Sequence, residues 1–278
     1  AANGMTVTAT AGGDDDPGTP AATAGGFIAE ASASKVEDAH VRGLKSVSAS
    51  ATDGIAGGFV GESTTSGLAE VADENSILAL VEIDGLLGAV TYLLPTYTNT
   101  DVTFVEKDGS VTADIAGGFA GDMQAGTVDD SGKDDPYAVY NVDTVTGSTY
   151  AGGFAGRIRS GALADAGKGL SILGGHNGLI DVTGLLNLIN AYVPAVKAAG
   201  VKSSEQGLAV SAAKTSDSDA TAGSAGGFAG YASGAQISDS DVTRLRHTTV
   251  TDPEDLTGSD ASPYSDQGKS SYPVPAGR

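Results

Sequence analysis

The sequence predicts a mainly β chain, folded as a parallel β-solenoid (β-helix) of about five coils with two short amphipathic helical inserts. Three observations carry that prediction. The tetrapeptide AGGF occurs five times, ending at Phe27, Phe59, Phe119, Phe154 and Phe228, and only Phe104 among the six phenylalanines lies outside it. The intervals between those five residues are 32, 60, 35 and 74, so two are close to one unit and two hold a unit plus an insertion. The two insertions also resemble each other in sequence.

Each unit holds three short β-prone pieces separated by Gly, Asp and Ser. In the last unit these are AGGFAGYA, AQISDSDVTRL and a piece near HTTVT. Strands of ~5–6 residues with turns recurring every ~30 residues suit one coil of a solenoid. Side chains alternate along a strand, so Phe154 is expected to share a face with Gly152 and Gly156 while Gly153 and Ala155 face the other way. A ring flanked by bare backbone lies flat across a narrow core, and coils ~4.8 Å apart stack such rings into a ladder. The expected structural site is therefore Phe27, Phe59, Phe119, Phe154 and Phe228 with the glycines around them: Gly57, Gly61, Gly117, Gly121, Gly152, Gly156, Gly226 and Gly230. The first copy departs, with Ala29 in place of the closing glycine.

The inserts read GLLGAVTYLLP at 85–95 and GLLNLINAYVP at 184–194. Leu86, Leu87, Val90, Leu93 and Leu94 fall at i, i+1, i+4, i+7 and i+8, and Leu185, Leu186, Ile189, Tyr192 and Val193 repeat that spacing. This is the apolar stripe of a short helix, ended by Pro95 or Pro194. A repeat domain is thus expected over 1–250, with helical inserts near 76–95 and 171–199. Residues 251–278, with four of the nine prolines, read as a Pro/Ser/Asp-rich linker or tail. The start AANGMTVTAT, with Met5 internal, is expected of a mature product or an excised slice.

The Phe-centred AGGFAG, a variable turn, a glycine and then Ile237-Ser238-Asp239-Ser240-Asp241-Val242-Thr243 together resemble GLUG-type glycine-rich repeats of bacterial cell-surface and adhesin proteins. The helix-bearing form resembles repeats in cell-wall-anchored proteins of Gram-positive actinobacteria. The chain departs from the pattern in having Phe where Leu is usual and Asp where Asn is usual. The resemblance implies a non-catalytic extracellular stalk or adhesive region.

Composition excludes several classes. Lys+Arg 15 against Asp+Glu 35 gives a net charge of −20, which repels phosphate backbones and anionic lipids, so no nucleic-acid partner is expected. The longest apolar stretch, Ile77 to Leu94, carries Glu82 and Asp84 and is too polar to insert in a membrane. The absence of cysteine removes disulfides, thiol catalysis and Cys-ligated metals. With high acidity it fits secretion by a bacterium that does not rely on disulfides.

No catalytic motif is present, and no catalytic or cofactor-binding residue is expected. AGGFAG fails the dinucleotide fingerprint because its first glycine would fall on Ala151 or Ala225. Gly268-Lys269-Ser270 lacks the leading glycine of a phosphate loop, which would be Pro263. The histidines His40, His176 and His247 stand alone. Asp129, Asp130, Asp134 and Asp135 supply hard oxygen donors in a turn and are the weak candidates for a Ca²⁺ site; solvated turn carboxylates are the alternative. The expected function is a non-catalytic structural or adhesive repeat region of a secreted or cell-wall-anchored bacterial surface protein, a stiff stalk or binding scaffold. A subunit of a self-assembling extracellular fibre is the alternative, and a polysaccharide-degrading β-helix enzyme the second. Expected partners are neighbouring repeats, copies of the chain itself, or a host or matrix protein or glycan.

Overall fold

The computed structural model describes residues 4–11, 21–50, 52–65, 94–160, 193–213 and 223–251. They form 23 strands in three sheets, one of thirteen strands and two of five, and every pairing is parallel. The chain is mainly β with parallel sheets, as its composition of short Val- and Thr-bearing pieces predicts.

Numbered in chain order, the strands recur at five positions in each repeat rather than as three pieces. Position A holds β2 (Thr23–Gly25), β6 (Ile55–Gly57), the ends of β10 (Ser110–Gly117) and β14 (Thr144–Gly152), and β19 (Ser224–Gly226). Position B holds β3 (Ile28–Ser32), β7 (Val60–Thr64), β11 (Ala120–Met123), β15 (Ala155–Arg159) and β20 (Ala229–Ser233). Position C holds β4 (Lys35–Glu37), β8 (Thr96–Thr98), β12 (Thr127–Asp129), β16 (Ala195–Lys197) and β21 (Gln236–Ser238). Position D holds the start of β5 (His40–Ser50), then β9 (Asp101–Phe104), β13 (Tyr137–Tyr140), β17 (Gly200–Lys202) and β22 (Val242–Thr243). Position E holds β1 (Met5–Thr10), the rest of β5, the starts of β10 and β14, β18 (Leu208–Ala213) and β23 (Leu245–Thr251). At each position a strand pairs with its counterpart one repeat on.

That register lines like residues up in rows. Val47, Val111, Val145 and Val210 are successive partners at position E, and Val41, Val102, Val139 and Val201 at position D. Val36, Tyr97, Val128 and Val196 do the same at position C, and all twelve are buried. Branched side chains fit a pleated surface, and each buried valine stabilises the fold by ~1.5–3 kcal/mol relative to exposure.

Corners between strands use left-handed backbone. Asp38, Asn99, Ala198 and Asp239 turn position C into D with φ of 51°, 53°, 50° and 50°. Asp and Asn tolerate this region because their short polar side chains bond locally. The serine after Asp239 completes the corner, since the Ser240 hydroxyl accepts the Ala199 N–H at 3.3 Å, which the bend leaves without a strand partner.

Both long separations fall between the same two positions. The B-to-C link is short after β3, β11 and β20, but β7 ends at Thr64 before β8 begins at Thr96, and β15 ends at Arg159 before β16 begins at Ala195. The second insert, expected to run to 199, stops sooner: beyond Pro194 the chain enters β16, whose Val196 is buried in its row. The helices expected near 76–95 and 171–199 otherwise lie outside the described residues, apart from Leu94–Pro95 and Val193–Pro194, which are not helical. Most of the expected tail, 252–278, also lies outside them, while Thr251 closes β23.

Candidate functional site

The five motif phenylalanines stack in one column. Ring centroids are 4.9 Å apart for Phe27–Phe59, 4.9 Å for Phe59–Phe119, 5.1 Å for Phe119–Phe154 and 4.8 Å for Phe154–Phe228. The three inner rings are fully buried, Phe228 is half-buried and Phe27 is exposed. The backbone fixes the spacing, because each Phe carbonyl accepts the N–H of the preceding repeat's Phe: Phe59 N–H to Phe119 at 2.9 Å, Phe119 N–H to Phe154 at 2.7 Å and Phe154 N–H to Phe228 at 2.8 Å. Tyr97 meets Phe59 and Phe119 edge-on at 6.2 and 5.9 Å, and its hydroxyl donates to Ser63 Oγ at 3.1 Å. Burial pushes the Tyr97 phenol up to about 12, despite that hydrogen bond.

The rings point inward for a different reason from the one alternation supplies. AGGF is a corner: the position-A strand ends on the first glycine, Gly57, Gly117, Gly152 or Gly226, the chain bends through the second glycine and Phe, and the position-B strand starts after them. These glycines are needed for close approach rather than for positive φ. A Cβ on Gly117 would lie 1.9 Å from the Ala120 carbonyl oxygen. The closing glycines Gly61, Gly121, Gly156 and Gly230 sit second in position B, each against the preceding repeat; a Cβ on Gly121 would lie 2.5 Å from Ile55 Cγ2 and 2.7 Å from the Gly61 carbonyl oxygen. The departure at Ala29 follows, since Ala29 is exposed in the first repeat and no earlier position-B strand lies against it among the described residues.

Three residues beyond each Phe, position B carries a row of charge that motif reading missed. Glu30, Glu62, Asp122, Arg157 and Tyr231 are successive register partners. Asp122 is fully buried and both its oxygens are engaged: Arg157 donates from Nε at 3.0 Å and from Nη2 at 2.6 Å, and Gln124 Nε2 donates at 3.0 Å. Gln124 also donates to Glu62 Oε1 at 2.6 Å, and the Arg157 guanidinium lies 5.6 Å from the Tyr150 ring centre. Adjacent carboxylates can serve hydrolysis of a glycosidic bond. Here the Glu62–Asp122 pair is closed to substrate, because Asp122 has no exposed surface and no free oxygen.

Glu62 is held above the usual carboxylate range by burial, and then by the negative charges of Asp122 and Glu30. The folded state thus binds this proton more tightly than the unfolded chain, so stability falls as pH rises from the ordinary value of 4.5 through the raised one. Glu62→Gln removes the cost and keeps the acceptor for Gln124. We expect a higher urea midpoint than wild type at pH 7, the difference closing as pH is lowered to 4.5.

The four aspartates expected as Ca²⁺ ligands do not converge. Asp129 Oδ1 accepts the Ser131 N–H at 3.0 Å, and Ser131's hydroxyl and N–H hold the Asp129 carboxyl below its usual range. Asp135 pairs with Lys202 at 3.0 Å. Asp130, Asp134 and Asp135 line an open cleft of about 450 Å³ with Asn99, Asp101 and Lys133, and the cation in it is an ammonium group. Lys133 Nζ donates to Asp130 Oδ2 at 2.9 Å, to the Thr100 carbonyl at 2.9 Å and to the Tyr137 carbonyl at 3.3 Å, using its three hydrogens. Among the described residues no three His, Cys, Asp or Glu side chains gather as a ligand set.

The physical reason is a gap in the ladder. Residues 130–136 separate β12 from β13, so Thr100 loses its strand partner there; Asp130 Oδ1 accepts the Thr100 N–H at 3.1 Å while Lys133 donates to the Thr100 carbonyl. Burial raises the Asp130 carboxyl, an effect that Lys133 opposes. Asp101 at the same cleft pairs with His40 at 2.8 Å and with Arg42. Lys133→Ala strands buried acceptors and should cost about 2–3 kcal/mol in a denaturant titration. Lys202→Ala at the exposed Asp135 pair should change stability by less than about 0.5 kcal/mol.

These sites define a repeat protein of parallel sheets with buried ion pairs, in which, among the described residues, Thr100 Oγ1 and Arg159 Nε are left without a hydrogen-bond partner. No protein-family model, no curated protein and no solved structure matches the chain. No helix among the described residues is long and apolar enough to cross a membrane.

Proposed function

We propose that the chain is a parallel β-solenoid of five turns and a non-catalytic structural or adhesive repeat region of a secreted or cell-wall-anchored bacterial surface protein. The observation that carries the reading is the column of five rings at 4.8–5.1 Å, matched by like-for-like pairing at all five strand positions. Stacked turns of this kind make a stiff spacer whose stability sums over nearest neighbours. The amphipathic segments would be helical side-pieces leaving the second and fourth turns between positions B and C, available for contact with a matrix protein or glycan. The likeness to GLUG-type repeats, the net charge of −20 and the absence of cysteine support an extracellular setting.

Antibody against the purified chain should label intact, unpermeabilised cells of the producing bacterium. Labelling only after lysis would overturn the surface assignment. Incubation with uronate polymers should release no reducing ends; release would overturn the non-catalytic reading in favour of a polysaccharide-degrading enzyme.

A further inference from the structure

Position E turns two rows of hydroxyl side chains outward. Thr8, Ser48, Thr112, Thr146, Ser211 and Thr249 are successive register partners across all six strands of that position, and the buried valines of its core row alternate with them on the other face. Thr6, Ser46, Ser110 and Thr144 form a second row two residues earlier, which ends in Ala209 and His247. Neighbouring hydroxyls bond along the rows: Ser46 Oγ donates to Thr6 Oγ1 and Ser48 Oγ to Thr8 Oγ1 at 3.2 Å, and Ser211 Oγ to Thr146 Oγ1 at 3.3 Å. A hydroxyl has one donor and two acceptor sites, so each keeps valences for a partner outside. The rows hold no Asp, Glu, Lys or Arg, in a chain of net charge −20. Outward rows elsewhere do, with Glu37, Asp129 and Lys197 at position C and Arg42 and Lys202 at position D. The charges nearest the hydroxyls, Lys45, Asp114 and Arg246, fall where the register shifts and stand outside both rows.

We propose that this face binds ice. Strands lie ~4.8 Å apart and alternate residues along a strand ~6.6–6.8 Å apart, so the hydroxyls form a two-dimensional lattice. Oxygen atoms on the prism faces of hexagonal ice repeat close to both distances. Like-for-like pairing at all five positions sets one turn over the next with little rotation, so the rows run straight and the face is flat; the ordinary twist between adjacent strands would warp it. Charge complementarity points the same way, since an ice surface is uncharged. An ammonium group is too strongly hydrated to share a crystalline water layer. Ser and Thr hydroxyls both donate to and accept from such a layer, and the Thr methyls order the water beside them. A crystalline polysaccharide is also flat and periodic, but its sugar rings call for aromatic platforms, and the two rows contain none.

The inference goes beyond the surface assignment and rests on the solenoid reading above, which supplies the flat face. Ice grown slowly on a cold finger from a dilute solution of the full chain should take the protein up, and single ice crystals held in that solution should become faceted instead of round. Thr8→Tyr/Thr112→Tyr, at exposed positions of the six-strand row, raises rings out of the plane and should abolish both effects. Thr98→Tyr, equally exposed but at position C, should leave both unchanged. Should the tyrosine pair unfold the chain, Thr112→Lys carries the same expectation. A folded wild type that is excluded from ice and leaves crystals round overturns the inference. So does uptake that survives the tyrosine pair. Wild-type dimers that the tyrosine pair breaks, without faceting, would give the face to a second copy and overturn it too. Failure of the solenoid reading shows separately, as a Phe154→Ala chain of unchanged stability.

Discussion

Phe154→Ala will lower the free energy of unfolding by about 3–5 kcal/mol. The ring is fully buried and stacked on both faces, by Phe119 at 5.1 Å and Phe228 at 4.8 Å. Its neighbours cannot collapse into the space, because their own backbones are fixed by the ladder on either side; the cavity term is thus added in full to the lost transfer energy. Phe27→Ala supplies the contrast. That ring is half exposed and stacked on one face only, so its loss should cost less than about 1.5 kcal/mol. Guanidinium chloride titration of both variants gives the comparison. Equal costs would mean that the column does not stabilise the chain through burial.

Asp122→Ala should be comparably severe, at about 3–5 kcal/mol, for an electrostatic reason. The Arg157 guanidinium is largely buried and donates two hydrogen bonds to this one carboxylate. Removing the acceptor leaves a desolvated cation with the Tyr150 ring and the Glu62 carboxylate as its remaining neighbours, and takes the partner of Arg159 as well. The Asp122→Ala/Arg157→Met double variant should recover part of the loss, since a buried pair exchanged for apolar groups is often close to neutral while Arg159 stays without its carboxylate. Chemical denaturation of the single and double variants measures the coupling. A double variant as unstable as the sum of the two single ones would show that the two side chains act independently.

The mainly β, parallel character of the chain was legible because it is written in spacing. Phe placement marks the repeat, and the valines at 47, 111, 145 and 210 fall where successive strands pair. The corner inside AGGF was not legible, because a bend through the second glycine and Phe and an alternating strand both turn the ring inward. The charge row at Glu30, Glu62, Asp122 and Arg157 was within reach: aligning the repeats on Phe puts each three residues later. Its members are ordinary in any single repeat, and their meaning comes from the neighbour above or below. The loop at 129–135 likewise takes its meaning from its neighbours. Its carboxylates look like a cation site in one dimension, but in space the loop carries its own cation, and Lys133 with Asp130 replaces a missing backbone rung.

The small difference between Ala29 and the closing glycines gives the molecule a direction. A methyl group is accommodated at Ala29, against which no earlier described position-B strand lies, and not at Gly61, Gly121, Gly156 or Gly230, so the opening module does not fit higher in the stack. Lengthening such a protein by gene duplication works by copying modules that begin at Ile55 or later. A copy of the opening module placed among them would need Ala29 returned to glycine before the courses could settle.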